Sequence, residues 1–307
     1  MLTRRSFIEQ SAFALGALTC LDAAFAAKDP KSGPLGLPIG IQLYTVRAEA
    51  AKDLEGTLKK LSDIGYREVE LAGYYDKSAK DLSALLKRYG LAAPSAHRGL
   101  KDLIANPDKE IDYLREMGVS YLVIPFPAVP DDRFDKQPAN SEKTIANSMT
   151  LDDWKWVAEQ LNNIAAKAKR AGLRTGYHNH NLEFRKIDGV IAYDQLLQWT
   201  DPATVTFEMD IGWVVAAGVD PLAYFKKYPH RFSMLHIKDV KKNAGTKTDV
   251  VKTETTEVGS GRIDWKQLFA SLDNQKITHY FVEQENFDMP IFASIQKSWQ
   301  YLNKLGA

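Results

Sequence analysis

The sequence is poor in the features that mark disulfide-rich, nucleic-acid-binding and membrane-spanning proteins. Cys20 is the only cysteine among 307 residues, so the chain cannot form an internal disulfide framework. The 40 lysine and arginine residues nearly balance the 39 aspartate and glutamate residues, for a formal net charge of +1. This balance argues against nucleic acid or an anionic membrane surface as a partner. The apolar stretch at residues 11–21 is too short to span a bilayer.

The first 27 residues have the composition of a cleavable signal peptide. Arg4 and Arg5 precede the small, apolar stretch at 11–21, and residues 24–26 match an Ala-x-Ala cleavage pattern. The arginine pair resembles the twin-arginine export signal of bacteria. It predicts a periplasmic or exported protein that is free of the membrane after cleavage, and Cys20 would be lost with the signal. An amphipathic N-terminal helix and a lipoprotein signal are the weaker alternatives.

A proline-, glycine- and lysine-rich linker is predicted at residues 28–38, and beyond it apolar segments alternate with amphipathic ones. The predicted strands lie at 39–44, 67–71, 91–96, 121–125, from 173 onward, 205–209, 232–237 and 279–283. The predicted helices include 48–64, 78–89, 151–171, 191–199, 221–228, 264–272 and 290–305, and several end at a glycine. Eight strand–helix units predict a single α/β domain, a (β/α)₈ TIM barrel over residues 39–305.

Polar residues mark the ends of four successive predicted strands, the fifth to the eighth. On a strand, residues two apart share a face, so His178 and His180 are expected to point the same way. The sixth strand ends in Glu208-Met209-Asp210, the seventh in His236 and the eighth in Glu283. In a (β/α)₈ barrel the active site lies at these C-terminal ends. Mixed carboxylate and imidazole groups suit one divalent ion of Mn²⁺, Zn²⁺, Co²⁺ or Fe²⁺.

Several motifs resemble the xylose isomerase-like TIM-barrel family of sugar isomerases, ketose 3-epimerases and inosose dehydratases, over nearly all of residues 39–305. They are Ile-Gly-Ile-Gln-Leu-Tyr-Thr-Val-Arg at 39–47, Val-Glu-Leu-Ala-Gly at 69–73, His-Asn-His at 178–180, Asp-Ile-Gly-Trp at 210–213, Leu-His-Ile-Lys-Asp at 235–239, Gly-Ser-Gly-Arg-Ile-Asp-Trp at 259–265 and Val-Glu-Gln-Glu at 282–285.

The resemblance implies one divalent cation held at the ends of strands five to eight. Asp210, His236 and Glu283 match three of the family's ligands directly. The fourth family ligand is a glutamate, and His178 stands in its place. The resemblance therefore implies an altered ligand set, in which Glu183 is a candidate for the missing carboxylate.

Other polar and aromatic residues are assigned roles toward a substrate. Glu283, His178 and His180 are the candidate catalytic residues, for moving a proton or binding a hydroxyl group. The candidate substrate contacts are His97, Glu70, Lys238, Trp213, Glu183 and Tyr44. For each of these residues a structural role competes: a hydrogen-bonded core histidine, a rim carboxylate, a solvated lysine or a packed aromatic ring.

The chemistry expected of such a site is proton abstraction next to a carbonyl group, through an enediolate that a metal stabilises. Family epimerases resemble one another in using two glutamates, so His178 in place of one leaves room for a 3-keto-glycoside lyase or hydrolase, or an inosose-type dehydratase. Export favours a free, non-phosphorylated carbohydrate, although Gly259-Ser260-Gly261 leaves a phosphate site open. A non-catalytic periplasmic sugar-binding protein is the rival class, and a nuclease is disfavoured by the charge balance. A homo-oligomer is possible.

Overall fold

Eight parallel strands close into a barrel in a computed structural model that describes residues 33–130, 148–248, 253–272 and 275–306. This confirms the predicted (β/α)₈ class. The barrel strands, called first to eighth below, are Gly40–Gln42, Glu68–Leu71, Ala92–His97, Tyr121–Ile124, Arg174–His178, Val205–Asp210, Phe232–Ile237 and His279–Val282. Two short hairpins lie outside the barrel, Lys186–Ile187 with Val190–Ile191 and Asp239–Val240 with Thr255–Thr256.

The strands pair in chain order, and the first closes the ring by pairing with the eighth. Register places Gln42 opposite Glu70, and Glu70 opposite Ser95. On the other side of the ring, Asp210 lies opposite His236. Since neighbours in register lie at one level, these pairings decide which inward-facing polar groups can touch.

Helices cover the barrel wall and bury their apolar faces against it. They span Arg47–Lys52, Leu54–Ile64, Ala79–Arg88, Leu100–Ala105, Pro107–Met117, Leu151–Arg170, Ala192–Trp199, Ile211–Ala216, Pro221–Lys227, Trp265–Ala270 and Ile291–Leu305. The longest of these has a capping box, in which Thr150 and Asp153 bond each other's backbone N–H groups. The predicted stop at Gly118 is a left-handed residue with φ of 79°.

Three local differences from the predicted elements have identifiable causes. The helix predicted at 48–64 is two helices, because the Asp53 side chain accepts from the Gly56 N–H and begins a new one. The segment after the sixth strand, where no helix is predicted before residue 221, contains the helix Ile211–Ala216, with Asp210 as its N-cap. The first strand ends early because Gln42 caps the 3₁₀ turn Leu43–Val46.

A small apolar cluster separate from the main core lies below the polar strand ends. It consists of Tyr121, Val123, Met234 and Phe281. Met234 and Phe281 precede His236 and Glu283 by two residues, so they share the inward face one level deeper. The polar groups described next therefore have an apolar floor.

The predicted signal at 1–27 lies outside the described residues, as do residues 28–32 of the predicted linker and residues 131–147, between the predicted fourth strand and the helix at 151–171. The rest of the linker includes a 3₁₀ turn, Pro34–Gly36, with Pro34 buried. Within the described ranges no helix is long and apolar enough to cross a membrane.

Candidate metal centre and cavity

Four buried side chains converge at the C-terminal end of the barrel, one from each of strands five to seven and one just after the eighth. They are His178, Asp210, His236 and Glu283, and each offers a ligand atom within 4.8 Å of the others. The His236 Nδ1 atom is 2.8 Å from Glu283 Oε2 and 3.8 Å from Asp210 Oδ2. The His178 Nε2 atom is 3.4 Å from Asp210 Oδ2 and 4.0 Å from Glu283 Oε2. We call these four residues the ligand group.

The spacing and the chemistry of the ligand group fit one divalent cation. The contacts of His178 are long for hydrogen bonds, whereas two donors bound tetrahedrally to one zinc ion lie about 3.4 Å apart. Two imidazoles with two carboxylates form a mixed set that first-row transition metals accept. Within the described residues, Glu183 is outside this group, so His178 completes it.

Lys238 neutralises the carboxylates of the ligand group from one side. Its Nζ atom lies 3.1 Å from Asp210 Oδ2, 3.1 Å from Glu283 Oε2 and 2.6 Å from Glu285 Oε1. The side chain is fully buried and its ammonium lies 4.6 Å from the centre of the Trp213 ring. Lys238 is therefore a partner of the ligand group and not a solvated surface cation.

These contacts set the protonation of the ligand group. Burial lowers the pKa of His178 to about 4, with the positive charge of His236 adding to the effect. Burial opposes ionisation of Asp210 and Glu283, but the Lys238 charge holds the pKa of both carboxyls well below the usual range. Burial likewise disfavours charged His236, but Glu208, Glu283 and Glu70 raise its pKa well above the ordinary value.

A second polar group lies on the other side of His236 and shares that residue with the ligand group. It comprises Glu70, His97, Glu208 and His236. The His236 Nε2 atom is 2.7 Å from Glu70 Oε2 and 3.2 Å from Glu208 Oε2. The His97 Nε2 atom is 3.0 Å from Glu70 Oε2 and 2.8 Å from Glu208 Oε2. Two imidazoles and two carboxylates thus alternate around a closed ring of contacts.

The two carboxyls of this second group have pKa values shifted in opposite directions, downward for Glu70 and upward for Glu208. Burial would raise the pKa of Glu70, but the charges of His97 and His236 hold it well below the usual value. Burial and the nearby negative charge of Glu70 raise the pKa of Glu208 to about 7. Burial disfavours the charged form of His97, yet Glu70 and Glu208 raise its pKa to about 9.

A cavity of about 410 Å³ opens above the ligand group. Its lining includes the predicted residues Tyr44, His97, His178, His180, Trp213 and Glu283, together with Arg98, Asp102, Phe126 and Glu285. The Arg98 guanidinium is already engaged, since Nε donates to Glu110 Oε2 at 2.7 Å and the group stacks over Tyr74. The cavity has the polar and aromatic lining of a site for a small hydroxylated molecule.

His180 forms one wall of this cavity among aromatic rings. Its ring centre lies 5.2 Å from that of Phe126, 5.3 Å from that of Trp213 and 5.0 Å from that of His178. Its Nδ1 atom has no hydrogen-bond partner among the described residues. Burial, and then the charge of His178, lower the pKa of His180 below its usual value.

Three predicted substrate contacts lie elsewhere than the cavity wall. Glu70 and Lys238 are fully buried beneath it, and Glu183 is buried to one side. The Glu183 carboxylate accepts from the Tyr177 hydroxyl at 2.8 Å and from the His180 N–H at 2.9 Å, and burial raises its pKa to about 7. Glu183 therefore holds the backbone of His180, and both of these hydrogen bonds go to residues outside the ligand group.

Glu208 was assigned no role from sequence, although the signal was available. Glu208 and Asp210 are two apart on one strand, so they face the barrel interior together. Register with His178 then brings Glu208 to the level where it meets His97 and His236.

The glycines at 259 and 261 bind a carboxylate of the chain itself. Asp239 Oδ2 accepts from the N–H groups of Gly259 and Gly261 at 2.9 and 3.1 Å, and from Trp265 Nε1 at 2.9 Å. The N–H of Ser260, between them, donates to the Glu257 carbonyl. All three amides that could have cradled a phosphate are thus occupied.

Comparison with known proteins agrees with this architecture. The family model described as Xylose isomerase-like TIM barrel matches residues 58–305. The chain is 23% identical over 268 residues to an inosose dehydratase of Geobacillus kaustophilus, an alignment that covers 81% of this chain and 86% of the relative.

Two solved structures share the fold. A sugar phosphate isomerase/epimerase from Parabacteroides distasonis superposes with a TM-score of 0.72 and 26% identity, over 92% of this chain and 97% of that one. The IOLI protein with a bound zinc atom superposes with a TM-score of 0.67 over 88% of this chain and 98% of that one. At 13% identity, the likeness to IOLI shows the fold alone.

Proposed function

The chain belongs to the xylose isomerase-like TIM barrel family, and from that premise we propose that it is a divalent-metal-dependent enzyme acting on a non-phosphorylated sugar or ketosugar. The proposed reaction begins with abstraction of a proton next to a carbonyl group. One observation carries the proposal: His178, Asp210, His236 and Glu283 converge under a cavity that is wide enough for a monosaccharide and lined with further imidazoles.

The ligand group would hold the cation, which when bound would act as a Lewis acid toward substrate oxygens. The rest of the site supports proton transfer. His180 lines the cavity, and its lowered pKa keeps the ring neutral at physiological pH, as expected of a group that takes a proton from a substrate. His97, whose Nε2 atom faces two carboxylates, lies across the cavity and is suited to donate a proton.

Two observations favour a substrate without phosphate. The amides of residues 259–261 are taken by Asp239 and Glu257. In the described part of the cavity lining the one guanidinium, that of Arg98, already donates to Glu110. A phosphate group would therefore find no unpaired guanidinium among these residues to bind it. The Parabacteroides relative is named for sugar phosphates, and we propose that this chain differs from it in substrate.

The outcome after proton abstraction divides two candidate reactions. Return of the proton to the opposite face would give an isomerase or epimerase. Loss of a β-substituent would give an inosose-type dehydratase, or a lyase or hydrolase of 3-keto-glycosides. The second candidate is favoured by the relatives named inosose dehydratase and by imidazoles whose surroundings shift their pKa values in opposite directions.

The test is NMR in D₂O with metal-loaded protein and a panel of free ketoses, inososes and 3-keto-glucosides. Deuterium in a recovered epimer or isomer supports the first candidate. Loss of water or of the aglycone, with an enone or a hydrated ketosugar as product, supports the second. Retained metal without solvent exchange on any substrate would refute the proton-abstraction mechanism.

A His180→Phe variant separates catalysis from binding, because phenylalanine keeps the aromatic packing but carries no nitrogen. The expected result is a loss of turnover of about 10²-fold or more with the metal retained. Sugar binding at unchanged affinity in both proteins, without turnover by either, would instead identify a non-catalytic sugar-binding protein. Lys226→Met, on the exposed surface of another helix, is the matched control for handling and folding.

A further inference from the structure

We infer that Glu70 is the positioning residue of the metal centre: it fixes the ring of His236 so that Nδ1 faces the cation and Nε2 keeps its proton. The inference rests on the proposed metal site, and it assigns Glu70 a role that differs from contact with a substrate. Glu70 is fully buried and does not line the cavity, so it acts through His236.

The two nitrogens of His236 face different partners. Nδ1 is directed at the ligand group, 2.8 Å from Glu283 Oε2. Nε2 is 2.7 Å from Glu70 Oε2, its shortest contact. A carboxylate at that distance accepts the Nε2 proton, so the proton that a bound cation would displace is the one on Nδ1. The tautomer and the ring orientation are thus set by the same bond.

Glu70 itself is held on both sides by its strand neighbours. Gln42 Nε2 donates to Oε2 at 2.6 Å from the first strand, and the Ser95 hydroxyl donates to Oε1 from the third. The Oε1 atom of the same Gln42 side chain accepts from the Tyr44 N–H at the cavity rim. Because the three residues are in register across adjacent strands, the position of the Glu70 carboxylate is determined by the barrel and not by a loop.

A second cation between Glu70, His97, Glu208 and His236 is the competing interpretation. The contacts argue against it, because Glu70 Oε2 already receives Gln42, His97 and His236, more donors than its lone pairs. A cation there would also need the Nε2 atom of His236, and the imidazole would have to lose both protons to bridge two metals. Hydrogen bonds satisfy the same atoms without that cost.

The first test measures zinc affinity with a competing chelator in wild type, Glu70→Gln and Glu68→Gln. Glu68 is the matched control because it lies two residues earlier on the same strand and also bonds a histidine, His279, at the opposite end of the barrel. We expect Glu70→Gln to weaken zinc binding by about 10- to 100-fold. Glu68→Gln should bind zinc as the wild type does.

The second test needs no variant and covers the case in which Glu70→Gln fails to fold. Long-range ¹H–¹⁵N NMR of the zinc-loaded wild type can resolve the rings, since the chain has six histidines. We expect the shift of a zinc ligand at His236 Nδ1 and a slowly exchanging proton at Nε2. A zinc-ligating Nε2, or two zinc ions per chain with His97 among the ligands, overturns the inference.

The outcomes separate this inference from the proposed function. A wild type that binds no divalent metal refutes the metal site, and the positioning role with it. A wild type that binds zinc, beside a folded Glu70→Gln variant of equal affinity, refutes only the role of Glu70. Equal weakening in Glu70→Gln and Glu68→Gln would also refute it, because the effect would then be general to the strand.

Discussion

The Lys238 ammonium lies where it can neutralise the same carboxylates that are offered to a metal ion. Its ammonium lies 3.1 Å from an oxygen of Asp210 and 3.1 Å from an oxygen of Glu283, two of the atoms offered to a metal. In the metal-free protein it supplies the positive charge that keeps these buried carboxylates ionised. A metal ion would share that task, so the two cations are thermodynamically linked.

A Lys238→Met variant tests this linkage. Methionine keeps much of the buried volume but leaves the carboxylates without their partner, so we expect the metal-free protein to lose about 3–5 kcal/mol of stability. Zinc should restore part of the loss, because its charge replaces the ammonium. The measurement is urea unfolding with chelator and with zinc, for the variant and for Lys297→Met, a half-exposed control paired with Glu257. An equal zinc-induced gain in wild type and Lys238→Met would contradict the linkage.

Metal uptake is expected to release about one proton per cation near pH 7. His178, whose pKa is lowered to about 4, is already neutral there, whereas the raised pKa of His236 means that its ring is protonated. Binding must expel the His236 proton that competes for Nδ1, so affinity should rise with pH below the raised pKa. Calorimetry in two buffers of different ionisation enthalpy measures the release. A binding heat independent of the buffer would contradict it.

The meeting of Asp210, His236 and Glu283 could be predicted because parallel strands in a barrel bring their C-terminal ends together whatever their side chains. The depth at which a residue lies below the cavity could not be predicted in this way. Glu70 lies near the end of its strand, as His236 does, and both are buried beneath the cavity, where Glu70 lies opposite Gln42 and Ser95. Glu183 lies beyond a strand end, where the path of the turn Leu182–Phe184 decides which way it faces.

At the scale of elements, the positions of the strands and long helices can be predicted from hydrophobic periodicity. The short helices instead depend on single side chains. The helix Ile211–Ala216 depends on Asp210 as its cap and on Gly212, where a Cβ atom would come within 2.5 Å of the Lys238 carbonyl oxygen. The cap is local, since Asp210 accepts from the Trp213 N–H three residues on. The approach of Gly212 to Lys238 is not local, and periodicity alone predicts no helix there. The same helix carries Trp213 to the cavity.

The loop after the seventh strand is anchored by Asp239, and its stability can be tested there. Both carboxylate oxygens accept N–H groups: Oδ1 from Val240 and Ile263, and Oδ2 from Gly259, Gly261 and Trp265. In Asp239→Asn, either orientation of the side-chain amide points its NH₂ group at N–H groups that the carboxylate now accepts. We expect a loss of about 2–3 kcal/mol in the free energy of unfolding.

Asp264→Asn is the control for this prediction, because Asp264 caps a helix and asparagine caps about as well. Urea unfolding of the metal-free proteins compares the two variants. A cost for Asp239→Asn no greater than that for Asp264→Asn would mean that Asp239 does not anchor the loop. It would also leave the amides of Gly259 and Gly261 available to a phosphate, and so weaken the proposal of a non-phosphorylated substrate.

At the scale of the whole molecule, the barrel layers its contents by depth. Apolar side chains form the floor, and the two polar groups that share His236 lie together above it. From these groups His97, His178 and Glu283 reach the cavity. The closed β-barrel supplies this order, and the family match at 58–305 covers the strands from the second onward. Which sugar enters the cavity depends on the few side chains of its wall.

The last prediction concerns export of the whole chain. If residues 1–27 contain a twin-arginine signal, the protein made in a Gram-negative host should reach the periplasm, and its intact mass should show cleavage just after the Ala-x-Ala pattern at 24–26. Replacing Arg4 and Arg5 together by lysine keeps the charge but removes the paired guanidinium groups that the export receptor reads. The variant should then remain uncleaved in the cytoplasm.

Cleavage and export of the double-lysine variant at the wild-type level would argue for a general secretion signal. An uncleaved wild type that stays in the cytoplasm would refute the signal itself, and with it the argument from export for a free sugar, while the argument from the occupied amides of residues 259–261 would stand.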